Sequence, residues 1–232
     1  PKGEGPFPGL VLIHGSGSND SDETLLANKP FKDLAWGLAS QGIASIRYDK
    51  RTYVHGNKIE DLSRFTVEEE VIEDALAALE FLRSQKETNP QGVFILGHSL
   101  GGQLVPEIAH RDGKVAGVII LAGPTRPLSE LVVEQTEYIF SLDGQIDEKE
   151  NEQLEEIKKG RDKLKNRELK EDEIVPGLGG YASYWYDLEK RNPVVEANKL
   201  SCPILILQGE RDYQVTLVDF NNWEKGLSSR DK

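Results

Sequence analysis

The stretch Gly92-Val-Phe-Ile-Leu-Gly-His-Ser-Leu-Gly-Gly102 decides the fold of this chain. An apolar run ends at Leu96, and a Gly-x-Ser-x-Gly motif then leads into sequence with helical periodicity. In this context the motif predicts a sharp strand-to-helix turn that exposes the hydroxyl of Ser99. The flanking glycines are needed because the chain packs closely against itself at such a turn. Ser99 is therefore the predicted nucleophile, and the alternative is a tight turn with a passive serine.

Four other short apolar runs resemble the one before Ser99, and they cover residues 9–13, 43–47, 115–121 and 203–207. Segments with helical periodicity separate them, and one of these begins with a capping box, Thr66-Val-Glu-Glu69. Strands that alternate with helices form right-handed crossovers, which give a parallel sheet with helices on both faces. The sequence therefore predicts an α/β fold whose ligands bind at the carboxyl ends of the strands.

The alternation stops between Pro127 and Asn198, where no buried strand is predicted. This segment begins with an amphipathic helix pattern and continues through a densely charged stretch, residues 143–173, interpreted as a solvated helical pair. Its last part holds an aromatic cluster that includes Tyr184 and Trp185. We expect a helical lid at 127–198, between core segments 1–126 and 199–232. The two aromatic side chains are predicted either to wall an acyl pocket or to pack the lid on the core.

Composition excludes several classes of protein. The 232 residues carry a formal net charge of −12, which disfavours nucleic acid and anionic membrane surfaces as partners. No apolar run approaches the roughly 20 residues that span a bilayer. A single cysteine, Cys202, excludes an internal disulfide framework and a cysteine-based zinc site, and we expect an inert buried thiol.

Two further loops carry polar residues at the predicted carboxyl edge of the sheet. His14-Gly-Ser-Gly17 follows the first strand, so the N–H of Ser16 and that of Leu100 are candidate donors to an oxyanion. A phosphate-binding loop is the alternative, but the lysine of a P-loop is missing. Asp212 follows the last strand and is placed to orient a catalytic histidine, with Glu210 as a competitor.

Two charged clusters have simpler interpretations. Asp20, Asp22 and Glu23 form a group that a calcium site could use, but only part of the required oxygen ligands is visible, so a solvated loop is favoured. Asp49-Lys-Arg51 is predicted to form ion pairs near the active edge.

These motifs together resemble the α/β-hydrolases. His14–Thr24, Asn28–Asp33 and Arg47–Thr52 are most similar to a bacterial carboxylesterase subfamily, close to dienelactone-hydrolase-like and acyl-CoA-thioesterase-like proteins. The resemblance implies a three-layer sandwich with a mainly parallel sheet and an inserted helical lid. It also implies that Ser99 is the nucleophile, Asp212 the triad acid, and Ser16 and Leu100 the oxyanion donors.

The sequence departs from this family in one respect. The family order is serine, acid, histidine, but the four histidines (His14, His55, His98, His110) all precede Asp212. Of these, His55 is the single geometric candidate for a base, with a loop or structural role favoured. The resemblance implies that the chain is truncated at both ends, so we expect the chain as printed to be nearly inactive.

The expected function is hydrolysis of a small-molecule carboxylic ester through an acyl-enzyme, with no metal or organic cofactor. Alternatives are an acyl-CoA thioesterase or acyltransferase, a serine peptidase, and a non-catalytic binding module of the same fold. One cysteine and an acidic surface suggest the cytoplasm, although a leader lost from the sequence would reverse this. The natural substrate and the oligomeric state are not predicted.

Overall fold

The computed structural model describes residues 1–230 and contains one five-stranded sheet in which all four strand pairings are parallel. Every predicted strand is present. The order across the sheet is β2-β1-β3-β4-β5. The strands are β1 (Phe7–Ile13), β2 (Ala44–Ile46), β3 (Thr88–His98), β4 (Gly117–Leu121) and β5 (Ile204–Leu207).

Helices lie on both faces of the sheet because side chains alternate between the faces along each strand. In β1, Val11 and Ile13 belong to the larger core cluster, whereas Leu10 and Leu12 pack with Phe31 on the opposite face. The three-layer arrangement is thus the predicted one. The helices are α1 (Pro30–Ser40), α2 (Arg51–His55), α3 (Glu73–Ser84), α4 (Leu100–Asp112), α5 (Leu128–Phe140), α6 (Glu148–Lys165), α7 (Ala182–Glu189), α8 (Pro193–Asn198) and α9 (Leu217–Gly226).

The chain order reverses between β1 and β3. After β1 the chain crosses to β2 on one side and then returns to place β3 on the other side. In parallel sheets a crevice opens at the carboxyl ends of the strands where the order reverses, and ligands bind there. The register pairs Ile13 with Gly97, so the loop after β1 and the turn at Ser99 leave the sheet side by side.

The segment predicted as a lid, hereafter the inserted segment (residues 127–198), holds α5 to α8 between β4 and β5. Its charged stretch contains a single helix, α6, instead of the expected pair, and Leu154, Ile157 and Leu164 are its buried apolar residues. No helix in residues 1–230 is long and apolar enough to cross a membrane.

Two local features differ from the sequence prediction. Strand β3 begins at Thr88, ahead of Asn89-Pro90, and pairs with β1 across an irregularity near Phe7. The helix predicted after Thr66 opens with a π-helical turn, Glu68–Ile72, before it continues as α3. The carboxylate of Glu69 accepts from the Thr66 N–H at 2.8 Å, as a capping box requires, but the Thr66 hydroxyl accepts from the Glu68 N–H.

Candidate active site

The turn at Ser99 has the backbone geometry that the motif predicts. Ser99 has φ 51° and ψ −118°, a strained conformation for a residue with a Cβ atom. A Cβ atom on Gly97 would lie 2.2 Å from the Gly101 carbonyl oxygen, and one on Gly101 would lie 2.5 Å from that of Ile13. The glycines are therefore required by close backbone contacts on both sides of Ser99.

Helix α4 begins immediately after Ser99, at Leu100. The first N–H groups of a helix have no partner within the helix, and the helix dipole favours negative charge at this end. Leu100 is fully buried as a whole residue and does not line the cavity that Ser99 lines, so its role as an oxyanion donor through the backbone N–H stays a prediction.

The loop after β1 lies against the Ser99 turn. A Cβ atom on Gly15 would be 3.2 Å from Ser99 Cβ, which is a closer approach than most residues tolerate. In the described part of the chain no protein oxygen accepts the N–H of Ser16. The side-chain amide of Asn19 donates to the carbonyls of Gly15 and Ser16, at 3.2 and 3.1 Å, and so closes the loop on itself.

A cavity of about 280 Å³ joins these elements to the inserted segment. Residues of the two loops line it together with apolar residues of α5. Four of the predicted site residues share this cavity. Its lining residues are Ser16, Gly17, Ser99, Leu128, Leu131, Val132, Gln135, Tyr184, Trp185, Gln214 and Val215.

Both predicted aromatic residues line the cavity, and their polar ends bond to other parts of the protein. The Trp185 indole N–H donates to the Gly179 carbonyl at 2.8 Å, and the Tyr184 hydroxyl donates to Glu70 at 2.6 Å. Burial and the charge of Glu70 raise the pKa of Tyr184 well above its usual value, so this hydroxyl stays protonated.

Asp212 lies beside the cavity and does not line it. Its Oδ1 accepts from the N–H groups of Gln214 and Val215, at 2.9 and 3.1 Å, and both of these residues line the cavity. Gln208 donates to the other carboxylate oxygen at 3.2 Å. Asp212 is also one of the residues that line a separate groove, together with Tyr213 and Glu210. Asp212 therefore fixes the loop next to Ser99.

Glu23 is a site residue that the sequence analysis missed. The structure corrects the favoured interpretation of a solvated loop at this position, because Glu23 is buried. Its Oε1 accepts from the Gly15 N–H at 2.6 Å and lies 3.0 Å from Nδ1 of His98. Asp20 and Asp22 have other partners, Thr24 and Lys29 respectively. The positive φ of Glu23, 52°, gave no sequence signal because glycine is absent there.

His14 and His98 flank the two site loops in sequence, and neither lines the cavity. Burial lowers the pKa of His98, but the hydrogen bond and charge of Glu23, with the charge of Asp212, outweigh it and raise the pKa above its usual value. Burial lowers the pKa of His14 to about 4, and its ring packs on Phe31 and Tyr48. Among residues 1–230, none of the cavity-lining residues is a histidine, and His55 lies on α2 in another groove.

The ion pairs predicted for residues 49–51 are present at Lys50 and Arg51, and the Lys50 pair is buried; within residues 1–230 Asp49 forms none and instead accepts from the Ser21 N–H at 2.7 Å. Arg51 pairs with Asp74 at 2.6 Å near the surface. The Lys50 ammonium lies 2.9 Å from Glu70 Oε1 and also donates to the Gly15 and Gly17 carbonyls. Sequence analysis predicted this lysine as an ion-pair residue but did not predict its contact with the loop after β1.

The strand order, the strained serine turn and the flanking loops define an α/β-hydrolase fold. The family model described as serine aminopeptidase, S33 (Hydrolase_4), matches residues 26–232, and the chain belongs to this family.

Comparison with individual proteins agrees with this assignment. The chain is 48% identical over 231 residues to Esterase EstD of Thermotoga maritima; the match covers all of this chain and 53% of that protein. The chain thus spans about half the length of this curated relative. The ferulic-acid complex of Est1E from Butyrivibrio proteoclasticus has a similar fold, with a TM-score of 0.62 at 19% identity over 94% of this chain and 75% of that one. The α/β hydrolase GrgF of Penicillium sp. sh18 gives 0.60 at 17% identity, over 94% and 77%.

Proposed function

We propose that this chain forms the core of a serine hydrolase that cleaves carboxylic esters of small molecules through an acyl-enzyme. The observation that supports this most strongly is the shared cavity, because it joins the strained Ser99 to the Ser16 loop and to apolar side chains of the inserted segment. Relatedness to an esterase at 48% identity is consistent with this chemistry.

In this proposal the Ser99 hydroxyl attacks the acyl carbon, and the carbonyl oxygen becomes an oxyanion. The N–H groups of Ser16 and Leu100 stabilise that charge, since the loop after β1 and the start of α4 leave the sheet side by side. The alcohol leaves, and water then hydrolyses the acyl-enzyme.

The serine needs a base to accept its proton, and a histidine oriented by Asp212 is the group that suits this role. Asp212 holds the backbone of Gln214 and Val215 at the border of the cavity, so a ring bonded to its carboxylate would lie at the side of Ser99 nearest those residues. Because no cavity-lining residue among 1–230 is a histidine, we assign this base to none of the described residues.

The inserted segment supplies the acyl pocket. The α5 residues Leu128, Leu131 and Val132 supply apolar lining to the cavity that Ser99 also lines, and Trp185 adds to it. We propose that residues 127–198 act as a lid over the site and that Tyr184 and Trp185 contact the acyl group.

Hydrolysis of p-nitrophenyl esters by the protein expressed from its whole reading frame tests this proposal. We expect turnover that Ser99→Ala abolishes, with unchanged thermal stability. Matched anilide and acyl-CoA substrates separate the competing activities. A kcat/KM for the anilide above that for the ester would indicate a peptidase. A kcat/KM for the acyl-CoA thioester above that for the ester would indicate an acyl-CoA hydrolase. Absence of turnover of all three substrates would favour a binding module and contradict the proposal.

A further inference from the structure

The Lys50 ammonium is deeply buried and fully satisfied. The residue is 2% exposed, and its three N–H donors bond to the Gly15 carbonyl at 3.0 Å, the Gly17 carbonyl at 2.9 Å and Glu70 Oε1 at 2.9 Å. An ammonium group has three donors, so none remains for water or substrate. Lys50 therefore acts on the protein itself and not on a ligand.

The two carbonyls that Lys50 holds lie on either side of Ser16. A trans peptide is planar, so the Gly15 carbonyl and the Ser16 N–H point in opposite directions. Because Lys50 holds the Gly15 carbonyl, the N–H of the same peptide, which belongs to Ser16, points away from the ammonium. Ser16 is one of the residues that line the Ser99 cavity. A cation on the carbonyl also polarises the peptide and strengthens its N–H as a donor.

Glu70 neutralises Lys50 and connects it to the inserted segment. Glu70 is 6% exposed, and its second oxygen, Oε2, accepts from the Tyr184 hydroxyl of α7 at 2.6 Å. It lies in the π-helical turn Glu68–Ile72, a rare geometry that is common at functional sites. The chain of contacts therefore runs from a wall of the cavity, through a buried ion pair, to the loop that borders Ser99.

A buried ion pair is a weak source of stability, because desolvation of the two charges offsets their attraction. Stability alone therefore does not account for this arrangement. We propose that Lys50 and Glu70 are positioning residues that orient the Ser16 N–H towards the oxyanion, and that Tyr184 couples this orientation to the inserted segment. This inference rests on the proposed esterase function.

The test compares Lys50→Met with the double variant Lys50→Met/Glu70→Leu. Lys50→Met leaves the Glu70 carboxylate buried without its cationic partner, so we expect it to lower both the melting temperature and kcat. The double variant has no unpaired charge, so we expect the melting temperature to recover in part; the Tyr184 hydroxyl and the Gly15 and Gly17 carbonyls still lose their partners. We expect its kcat to remain about 100-fold below wild type with KM within about twofold, as for loss of an oxyanion donor.

A second measurement separates orientation from general damage. A trifluoromethyl ketone forms an oxyanion when the serine adds to it, whereas the product carboxylic acid binds without this step. We expect the double variant to bind the ketone about 100-fold more weakly and the product acid unchanged. A double variant with wild-type kcat and ketone affinity would overturn the proposal and leave the pair a purely structural role.

Tyr184→Phe tests the link to the inserted segment, and Tyr186→Phe is its matched control. Both tyrosines lie on α7, but the Tyr186 hydroxyl bonds to the Leu169 backbone, away from the cavity. We expect a severalfold lower kcat for Tyr184→Phe with unchanged KM, and wild-type kcat for the control. Equal kcat values for the two variants would contradict the coupling. If Ser99→Ala retained esterase activity, the proposed esterase function would fail. That result differs from the one that would overturn the positioning role of Lys50 and Glu70.

Discussion

Glu23 and His98 are 75 residues apart, yet Oε1 of Glu23 lies 3.0 Å from Nδ1 of His98 and also accepts the Gly15 N–H. One carboxylate oxygen thus bridges the residue before Ser99 and the residue before Ser16. The two loops that supply the proposed oxyanion donors are joined at this atom, which fixes their separation.

We predict that Glu23→Gln destabilises the protein by about 1–3 kcal/mol, because the charge that pairs with His98 is lost while part of the hydrogen bonding survives. Urea unfolding measures this change. Asp20→Asn is the control, since Asp20 is only partly buried and its carboxylate accepts from the N–H and hydroxyl of Thr24 at the surface; we expect a change below about 1 kcal/mol there. Equal losses in the two variants would show that the contacts of Glu23 with His98 and Gly15 stabilise the protein no more than the surface contacts of Asp20 do.

Glycine substitutions test the steric account of the serine turn. Gly97→Ala would bring a Cβ atom to 2.2 Å from the Gly101 carbonyl oxygen, so we expect a loss of several kcal/mol or failure to fold. Gly37→Ala is the control in α1, where nothing lies within 4 Å and helix propensity favours alanine by up to about 1 kcal/mol. Circular dichroism melting curves distinguish the two, and a stable Gly97→Ala protein would contradict the close packing.

Stability should fall in mild acid because of His14. Its folded-state pKa, about 4, lies below the ordinary value of 6.5, so the unfolded chain binds this proton more tightly. The contribution of neutral His14 to the free energy of unfolding is complete above pH 6.5. It decreases as the pH falls towards 4, by about 3 kcal/mol in all. We expect His14→Phe to reduce the slope of the unfolding free energy against pH between pH 4.5 and 6.5. The reduction should correspond to the binding of about one proton, which is about 1.4 kcal/mol per pH unit. An unchanged slope would place the titrating group elsewhere.

The start of the inserted segment is anchored by a fully buried carboxylate. Asp219 in α9 accepts from the Thr125 N–H at 2.8 Å and from the Arg126 guanidinium at 2.9 Å. Asp219→Ala would leave these donors unpaired, so we predict a loss of about 3–5 kcal/mol. Glu134→Ala removes the exposed partner of the same arginine and should cost at most about 1 kcal/mol. Similar losses in urea unfolding would refute the anchoring role.

The cavity predicts a preference for short acyl groups. A volume of about 280 Å³ with α5 as one wall accommodates a butyryl chain but not an extended palmitoyl chain. Leu131→Ala should enlarge the pocket. It should therefore raise kcat/KM for longer p-nitrophenyl esters relative to kcat/KM for short ones. A wild-type enzyme that prefers palmitate would contradict this assignment of the pocket.

Local patterns predicted the parts of the site that depend on neighbouring residues. The Ser99 turn is determined by glycines within three positions of it, and the α5 wall by its helical periodicity. Lys50 and Glu70 could not be predicted in the same way, because their pairing arises from tertiary structure. Glu70 also belongs to an acidic run that is typical of an exposed helix start, whereas in the structure it lies in the π-helical turn and is buried.

The most direct test of the account is intact-mass analysis after treatment with a fluorophosphonate, followed by peptide mapping. We predict one adduct per chain on Ser99 in the protein expressed from its whole reading frame, and none in Ser99→Ala. An adduct on another residue, or equal labelling of the Ser99→Ala variant, would contradict the claim that this hydroxyl is the nucleophile.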